Sequence, residues 1–217
     1  MPSDPNVAAH LAAMQLFEGL DVSADPAVQE AGTTAEAIIP LRTVTDHTGI
    51  EDVADAFVSV AERRDDVAGL ADALHMAIGE FGDNAVSHGR NELGLRIAAS
   101  AGGEDAQEVV LAIGDLGVGI PEHIRRTNPE WGDDTAAIGR ALAPGVSGER
   151  DRHRGYGFLH VQEAALTARL SAARMEIYSA NGFLRLEIVQ GTFVPTPLHA
   201  TTYRRGTWIS YAVVSAG

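Results

Sequence analysis

The order of its predicted elements indicates that this chain is an α+β protein, a two-layer α/β sandwich whose mixed, mostly antiparallel sheet carries helices on one face. Helical patterns come first, two alternating strands follow, and short helices separate these from three further strands. The strands do not alternate singly with helices, as a parallel sheet would require. With 217 residues, 45% of them hydrophobic, the chain suits one large domain, or one domain with an appendage.

The sequence divides at about residue 35. Residues Asn6–Leu20 are rich in Ala and Leu with helical spacing, and the segment "DVSADPAVQEAGTTAE" that follows has the composition of a linker. We therefore expect residues 1–34 to be a helical extension and linker, and residues 35–217 to be the main domain. That domain opens with the apolar run "AIIPLRTV", a predicted strand that Pro40 places at a sheet edge, because proline cannot donate to a neighbouring strand.

Two longer helices are predicted next. One runs from about Ile50 to Arg63, with Asp46 or Thr48 as its N-cap. The other runs from about Asp65 to His88 and ends at Gly89, since glycine suits a helix C-cap. These helices would supply much of the helical layer.

The remaining elements follow from local patterns. "ELGLRIAAS" and "EVVLAIGD" are predicted strands joined by the turn "AGGED", and short helices are expected near Glu122–Arg126 and Asp134–Leu142. A Gly-rich charged loop then leads into the helix "FLHVQEAALTARL". "ARMEIYSANGFLRLEIVQ" is a predicted hairpin turning at "SANG". A loop over Gly191–Arg205 and the strand "GTWISYAVV" complete the domain.

Composition and charge exclude several classes of function. The net charge is −14, from 16 basic and 30 acidic residues, which disfavours binding to a nucleic-acid backbone or an anionic membrane surface. The chain has no cysteine, so disulfides, thiolate catalysis and cysteine-based zinc sites are ruled out. The N-terminus has no signal-peptide pattern, and no run approaches the roughly 20 apolar residues of a membrane span. A cytoplasmic protein is expected.

A polar row on the second long helix, within "GEFGDNAVSHG", is the first candidate for chemistry. Glu80, Asn84 and His88 recur every four residues, so they share one flank beside the apolar stripe. A carboxylate there can accept a proton from water or a hydroxyl, and an amide oxygen suits Mg²⁺. Taken alone, the stretch is also compatible with an ordinary exposed flank, and His88 has no evident chemical role.

The segment "VVLAIGDLGVGIP" is the second candidate. Asp115 comes just past a predicted buried strand, where a carboxylate can accept a hydrogen bond from an exocyclic amine. Gly117 and Gly119 would let the backbone approach a flat ligand closely. The alternatives are a plain strand-to-helix turn or a dinucleotide-binding loop. The latter is disfavoured because the glycines fall as G-x-x-G-x-G rather than G-x-G-x-x-G.

The third candidate is "RHRGYGFLHV". Gly155 and Gly157 lie at a predicted helix start, directly after a run that holds three arginines. The free N–H groups and positive dipole end of a helix N-terminus favour phosphate. By itself the pair of glycines also fits an ordinary loop-to-helix junction.

Taken in order, the three motifs resemble those of the GHKL ATPase superfamily, the histidine-kinase-like proteins of the Bergerat fold. This superfamily includes the ATP-binding domains of histidine kinases, gyrase, MutL and the large heat-shock chaperones. "GEFGDNAVSHG" is similar to its N box, "GDLGVGI" to its G1 box and "GYGF" to its G2 box, while "GTWISYAV" resembles its closing strand. The resemblance covers about residues 35–214 and implies that residues 35–217 are an ATP-binding domain.

The resemblance implies a role for each matched residue. Glu80 would be the general base that activates the attacking water or hydroxyl, Asn84 would bind Mg²⁺, and Asp115 would accept the adenine amino group. The other nucleotide-binding residues that it implies are Gly117, Gly119, Gly155, Tyr156, Gly157, Phe158 and Thr207, the last assisting Asp115 through a water. Residues 143–154 would form the ATP lid. ATP and Mg²⁺ are therefore the expected ligand and cofactor.

Within that superfamily the chain looks most like the stand-alone bacterial anti-sigma-factor serine kinases, which bind a sigma factor and phosphorylate a small antagonist protein. No histidine here lies in the phosphoacceptor box of a sensor histidine kinase. The N-terminal extension, the long segment between the G1 and G2 boxes and the loop before the last strand depart from that pattern and suit a different protein partner. The resemblance implies a regulatory Ser/Thr kinase or slow ATPase and leaves the oligomeric state open, a homodimer included.

Two alternatives remain. One is a non-catalytic switch in which ATP orders the lid and so changes partner binding; Glu80 favours the enzyme, since a pure binding module need not keep a base there. The other is an unrelated α+β domain in which His75, Glu80 and His88 form a metal site. It is disfavoured because His75 points away from the flank that the other two share.

Overall fold

The computed structural model describes residues 36–89, 93–102, 108–127, 129–130, 132–146, 155–168 and 170–216. The expected N-terminal helix and linker lie outside these ranges, as do residues 147–154 of the expected lid. The strands are β1 (Glu36–Val44), β2 (Leu95–Gly102), β3 (Glu108–Asp115), β4 (Ala172–Ala180), β5 (Gly182–Val189), β6 (Thr192–Leu198) and β7 (Arg204–Val214). The helices in the described ranges are α1 (His47–Ala61), α2 (Asp65–Ala68), α3 (Ala71–Gly89), α4 (Ile120–Arg125), α5 (Asp134–Ala141) and α6 (Gly157–Thr167).

The strands form one seven-stranded sheet in the order β1-β2-β3-β7-β4-β5-β6. Every neighbouring pair is antiparallel. The predicted α+β class with a mostly antiparallel sheet is confirmed, and the sheet is antiparallel throughout these strands rather than mixed. β1 is an edge strand, as Pro40 predicted. The last strand in the sequence, β7, lies between β3 and β4 and so joins the two parts of the sheet.

One face of the sheet is apolar and carries helices. The strand register aligns Leu111, Tyr211 and Met175 across β3, β7 and β4, and all three side chains are buried. Phe81 of α3 packs edge-on against Tyr211, with 6.2 Å between ring centroids. Burial of this row and of the helix faces above it removes a large apolar area from water, which is the main force holding the two layers together.

The helices before β2 differ from the sequence prediction in their bounds. Asp46 does cap α1, because its side chain accepts from the N–H of Gly49 at 2.9 Å. The expected single helix from Asp65 to His88 is wrong: a turn at Gly69 and Leu70 separates α2 from α3, and Gly89 is the last residue of α3 rather than a residue beyond it. Glycine's low helix propensity accounts for the break. Among the described helices, none is both long and apolar enough to cross a membrane.

The segment from Gly191 to Arg205 was expected to be a loop, and this is also wrong. Residues Thr192–Leu198 form β6, which pairs with β5 at the far edge of the sheet. Pro195 and Pro197 lie within this strand, where they oppose Leu186 and Leu184 in the register and so share one side of it. An edge strand tolerates proline at positions whose N–H would face outward.

The β4–β5 hairpin is confirmed and is tied to the short helices. The backbone N–H and the side-chain amide of Asn181 donate to Oδ2 of Asp134, at 2.9 and 3.1 Å. Arg125 of α4 donates to Oδ1 of the same carboxylate at 2.7 Å. Burial would raise the pKa of Asp134, but these donors outweigh it and hold that pKa below its ordinary value. The carboxylate thus fixes α4 and α5 against the hairpin turn.

Candidate functional site

A cavity of about 450 Å³ lies between α3, the start of α6, α4 and the ends of β3 and β7. This volume is within the range of small-molecule sites, about 300–1,000 Å³. Nine of the ten residues expected to bind or act on a nucleotide line it: Glu80, Asn84, Asp115, Gly119, Gly155, Tyr156, Gly157, Phe158 and Thr207. The tenth, Gly117, does not line the cavity. Three motifs that are far apart in the sequence therefore meet at one cavity.

At one end of the cavity the polar row of α3 faces the first turn of α6. An added Cβ on Gly157 would lie 2.5 Å from Oε2 of Glu80 and 3.4 Å from Nδ2 of Asn84. Only glycine fits between the two helices here without displacing one of these side chains. The N-cap of α6, Tyr156, makes no side-chain capping hydrogen bond. The first N–H groups of α6 are consequently not satisfied by a capping side chain, which is the arrangement that attracts an anion.

A histidine that no motif indicated completes this end. Nδ1 of His160, on α6, lies 2.6 Å from Oε1 of Glu80. The His160 ring lies nearly parallel to that of Tyr156, with 6.5 Å between centroids. Little in the sequence indicates this contact. The histidine lies three residues after the last glycine of "GYG", and its contact with Glu80 depends on how α6 packs against α3. Glu80 is therefore held by a partner 80 residues away.

At the other end of the cavity Asp115 is 5% exposed at the end of β3. Its carboxyl group accepts from the N–H of Gly117 at 2.6 Å, and the N–H of Thr207 also donates to it. Burial raises the pKa of Asp115 above its ordinary value, and these two donors limit the rise. Desolvation disfavours the charged form, whereas hydrogen bonds to the carboxylate favour it. A donor on a ligand would find a fixed acceptor here.

The loop after Asp115 is held by close backbone packing. A Cβ on Gly117 would overlap the carbonyl group of Gly89, which accepts from the N–H of Val118 at 3.1 Å. Gly119 has a φ of +80°, a backbone conformation that residues other than glycine rarely adopt. Gly117 therefore shapes the loop from behind the cavity wall, and Gly119 turns it.

Ser179 of β4 is a second residue that the sequence did not indicate. Its buried hydroxyl accepts from the N–H of Ile120 at 3.0 Å and donates to the carbonyl of Gly206 at 2.6 Å. The single hydroxyl joins the loop before α4 to the start of β7, where Thr207 lies. Both segments that surround Asp115 are thus anchored to the same strand.

The described residues on either side of residues 147–154 contact each other beside the cavity. The N–H of Gly145 donates to the carbonyl of Gly155 at 3.0 Å, and Gly155 has a φ of +93°. This turn directs the chain into Tyr156 and α6. The three arginines of the charged run fall within residues 147–154, outside the part of the chain that the structure describes.

Apolar and imidazole groups form the rest of the wall. The rings of Phe81 and Phe158 pack at 5.6 Å between centroids. His88, which had no evident role in the sequence, packs against the ring of His123 at 4.4 Å. The other apolar lining residues include Ile113, Ile120, Ile124 and Ile209. The cavity therefore combines an apolar middle with polar groups at both ends, as small-molecule sites commonly do.

The donors for a metal ion are few. Among the described residues no group of three or more His, Asp or Glu side chains could hold an ion by itself. The alternative metal site of His75, Glu80 and His88 is therefore not found, and His75 is exposed outside the cavity lining. Asn84, beside Glu80, offers one amide oxygen. Mg²⁺ needs few protein ligands when substrate phosphates and waters supply the others, so this donor set fits an ion brought by a nucleotide.

Comparison with known proteins adds little to this geometry. No family model matches the chain, and no curated protein matches it. Among solved structures, one match is the B-subunit of the DNA gyrase from Myxococcus xanthus, with 12% sequence identity and a TM-score of 0.33. The alignment covers 77% of this chain and 43% of that subunit, so the chain spans less than half of its length. A likeness at this TM-score carries no argument about function.

Proposed function

We propose that residues 35–217 form a Mg-ATP-binding domain of the histidine-kinase-like type and that the protein acts as a regulatory kinase or slow ATPase. The observation that carries this proposal is the single cavity shared by Glu80, Asn84, Asp115 and the glycines at the start of α6. These residues come from three separate motifs whose order resembles that of GHKL proteins. In an unrelated domain, these three motifs would not be expected to meet at one cavity.

The nucleotide would lie with its base at Asp115 and its phosphates at α6. Asp115 would accept a hydrogen bond from the exocyclic amine of adenine, supported by its burial and by the N–H donors that fix it. The phosphates would meet the N-terminus of α6, where Gly157 leaves space. Asn84 would hold Mg²⁺, which when bound neutralises developing charge on the phosphate oxygens.

Glu80 would act as the base. A water or hydroxyl oxygen forms a bond to the γ-phosphorus, its proton passes to Glu80, and the bond from that phosphorus to the bridging oxygen breaks with the electron pair leaving on ADP. Glu80 lies within the cavity and beside Gly157, which supports this assignment. Positioning of the nucleophile and electrostatic stabilisation would supply most of the catalysis.

The acceptor of the phosphoryl group would be a serine or threonine on a protein partner, or water. The motif variants "NAVSHG" and "RGYGF" resemble those of anti-sigma-factor kinases, so a sigma factor, an antagonist-like protein or another regulator in the cytoplasm is the proposed partner class. The acidic net charge of −14 is compatible with protein partners.

The test is Mg-ATP binding by calorimetry, together with ADP release, for the wild type, Glu80→Ala and Asp115→Asn. We expect Asp115→Asn to weaken binding by about 10-fold or more, as for the loss of one hydrogen bond to a charged group. Glu80→Ala should keep binding while turnover falls by about 10²–10⁴-fold, the usual contribution of a general base. Glu163→Ala is the matched control, because Glu163 is an exposed carboxylate on α6 outside the cavity lining. It should behave as the wild type.

The outcomes separate the alternatives. Absence of nucleotide binding by the wild type would exclude the proposed function as a whole. Binding without turnover, or turnover that Glu80→Ala leaves unchanged, would instead identify a nucleotide-dependent switch. Incubation with labelled ATP and candidate protein partners then distinguishes a kinase from an ATPase, since only a kinase transfers the label to protein.

A further inference from the structure

The contact between Glu80 and His160 joins the first motif to a residue that the resemblance gave no role. Nδ1 of His160 lies 2.6 Å from Oε1 of Glu80 and joins α6 to α3 across the cavity. With Glu80 ionised, as a base must be, the carboxylate can only accept, so Nδ1 carries the donated proton. A charge-assisted hydrogen bond of this kind fixes the direction of the carboxylate as well as its position.

The two oxygens of Glu80 have different surroundings. Oε1 is bound by His160, whereas Oε2 lies beside Gly157, where a Cβ would come within 2.5 Å of it. Oε2 is therefore the oxygen next to the first turn of α6, at the end of the cavity where phosphates would bind. The bond to His160 opposes rotation of the carboxylate away from this orientation, and so it keeps one oxygen beside Gly157.

We propose that His160 is the positioning residue for Glu80. It holds Oε1 so that Oε2 is presented to the nucleophile beside the γ-phosphate. This inference rests on the proposed function and adds to it a residue that lies outside the three matched boxes, two positions after "GYGF". His160 takes no part in bond making; it acts through the orientation of Glu80.

A purely structural role does not account for the contact. The side chains of His160 and Glu80 are 47% and 27% exposed, and side-chain pairs with that much exposure contribute little to folding. The pair between His47 and Asp83, which also joins a histidine to α3, is longer at 2.8 Å and more exposed, at 58% for both side chains. The Glu80–His160 pair is the shorter and more protected of the two, and it is the one that lies against Gly157.

The experiment compares His160→Leu and His160→Asn with His75→Asn. Leucine removes the donor, and asparagine keeps an N–H group near the place of Nδ1. His75 is an exposed histidine of α3 outside the cavity lining, so it matches the chemical change without touching Glu80. We expect His160→Leu to lower kcat by about 10- to 100-fold, the scale of loss for a misplaced catalytic group. His160→Asn should recover most of this, and KM for ATP should stay near the wild-type value in both.

A double-mutant cycle with Glu80→Gln decides whether His160 acts through Glu80. In that background His160→Leu should change kcat by less than about 2-fold, because residues that act as a unit are not additive. Thermal unfolding of each variant checks that it is folded. An equal effect of His160→Leu with and without Glu80→Gln would overturn the inference, as would an unchanged kcat in His160→Leu. A wild type with no turnover would overturn both this inference and the catalytic part of the proposed function. The two results above overturn this inference alone, so the two kinds of failure can be told apart.

Discussion

A Cβ atom on Gly157 would lie 2.5 Å from Oε2 of Glu80. The start of α6 and the polar row of α3 are thus in contact at a point where only hydrogen atoms fit between them. The same added atom would lie 3.4 Å from Nδ2 of Asn84. The position of the proposed base therefore depends on the absence of a side chain at position 157, whereas Asn84 would be left in ordinary contact with the added atom.

Gly157→Ala should impair turnover more than folding. The added methyl group displaces the Glu80 carboxylate, and we expect ADP release to fall by about 10- to 100-fold, as for other small displacements of a catalytic group. Gly79→Ala is the matched control, because a Cβ there has nothing within 4 Å, and it should raise the free energy of unfolding by up to about 1 kcal/mol. Equal turnover in Gly157→Ala and Gly79→Ala would contradict the close contact between Gly157 and Glu80.

Asp115→Asn should weaken ATP binding. Two backbone N–H groups already donate to this carboxyl group, and an amide has one acceptor oxygen, so its NH₂ group would replace an acceptor that these donors and the adenine amine share. We expect Kd to rise by about 10-fold or more, given the ~1.5–3 kcal/mol of a hydrogen bond to a charged group. Calorimetry measures this change, with Asp52→Asn, an exposed residue of α1, as the control.

The same substitution should change how stability depends on pH. Burial raises the pKa of Asp115 in the folded protein, so the unfolded chain loses its proton first as pH rises. The wild type therefore loses stability as pH climbs from the ordinary aspartate pKa through the raised one. Asparagine does not titrate, so the unfolding free energy of Asp115→Asn relative to wild type should increase over that window and then level off. Urea unfolding between about pH 3 and 8 measures it; a difference that shrinks with pH would contradict the raised pKa.

Ser179→Ala should destabilise the fold around the base end of the cavity. It leaves the N–H of Ile120 and the carbonyl of Gly206 without the hydroxyl that serves both, at a cost of about 1–3 kcal/mol for buried groups. Ser171→Ala removes hydroxyl hydrogen bonds at an exposed site and should stay within about 0.5 kcal/mol of the wild type. Denaturant unfolding of the two variants measures the difference, and similar losses in both would exclude the anchoring role.

Tyr211→Phe should stabilise the protein. The hydroxyl of Tyr211 is buried without a hydrogen-bond partner among the described residues, and burial raises its pKa. Removal of this group should raise the unfolding free energy by about 1–3 kcal/mol, equivalent to roughly 2–4 °C in Tm for each kcal/mol. In Tyr178→Phe, by contrast, a hydrogen bond to the carbonyl of Thr202 is lost, so no gain is expected. A lower Tm for Tyr211→Phe than for the wild type would show that the hydroxyl of Tyr211 does form a stabilising hydrogen bond.

Much of the fold followed from local patterns. Pro40 marked an edge strand and Asp46 a helix cap, and both are where the sequence indicated. The patterns failed where tertiary context overrides local preference. Two prolines concealed β6, because only a strand with one free edge accepts them, and Gly69 interrupts what reads as one helix.

Local sequence patterns were enough to predict which residues share a helix flank or a strand end, and so they indicated Glu80, Asn84 and Asp115 as candidates. These relationships span a few residues, and backbone periodicity sets them. Packing in the folded chain brings Glu80 to His160 and lets Ser179 hold both segments around Asp115. The contact between Glu80 and His160 spans 80 positions of the sequence, and the one between Ile120 and Ser179 spans 59. They depend on how helices and strands pack, and no periodicity along the chain encodes that.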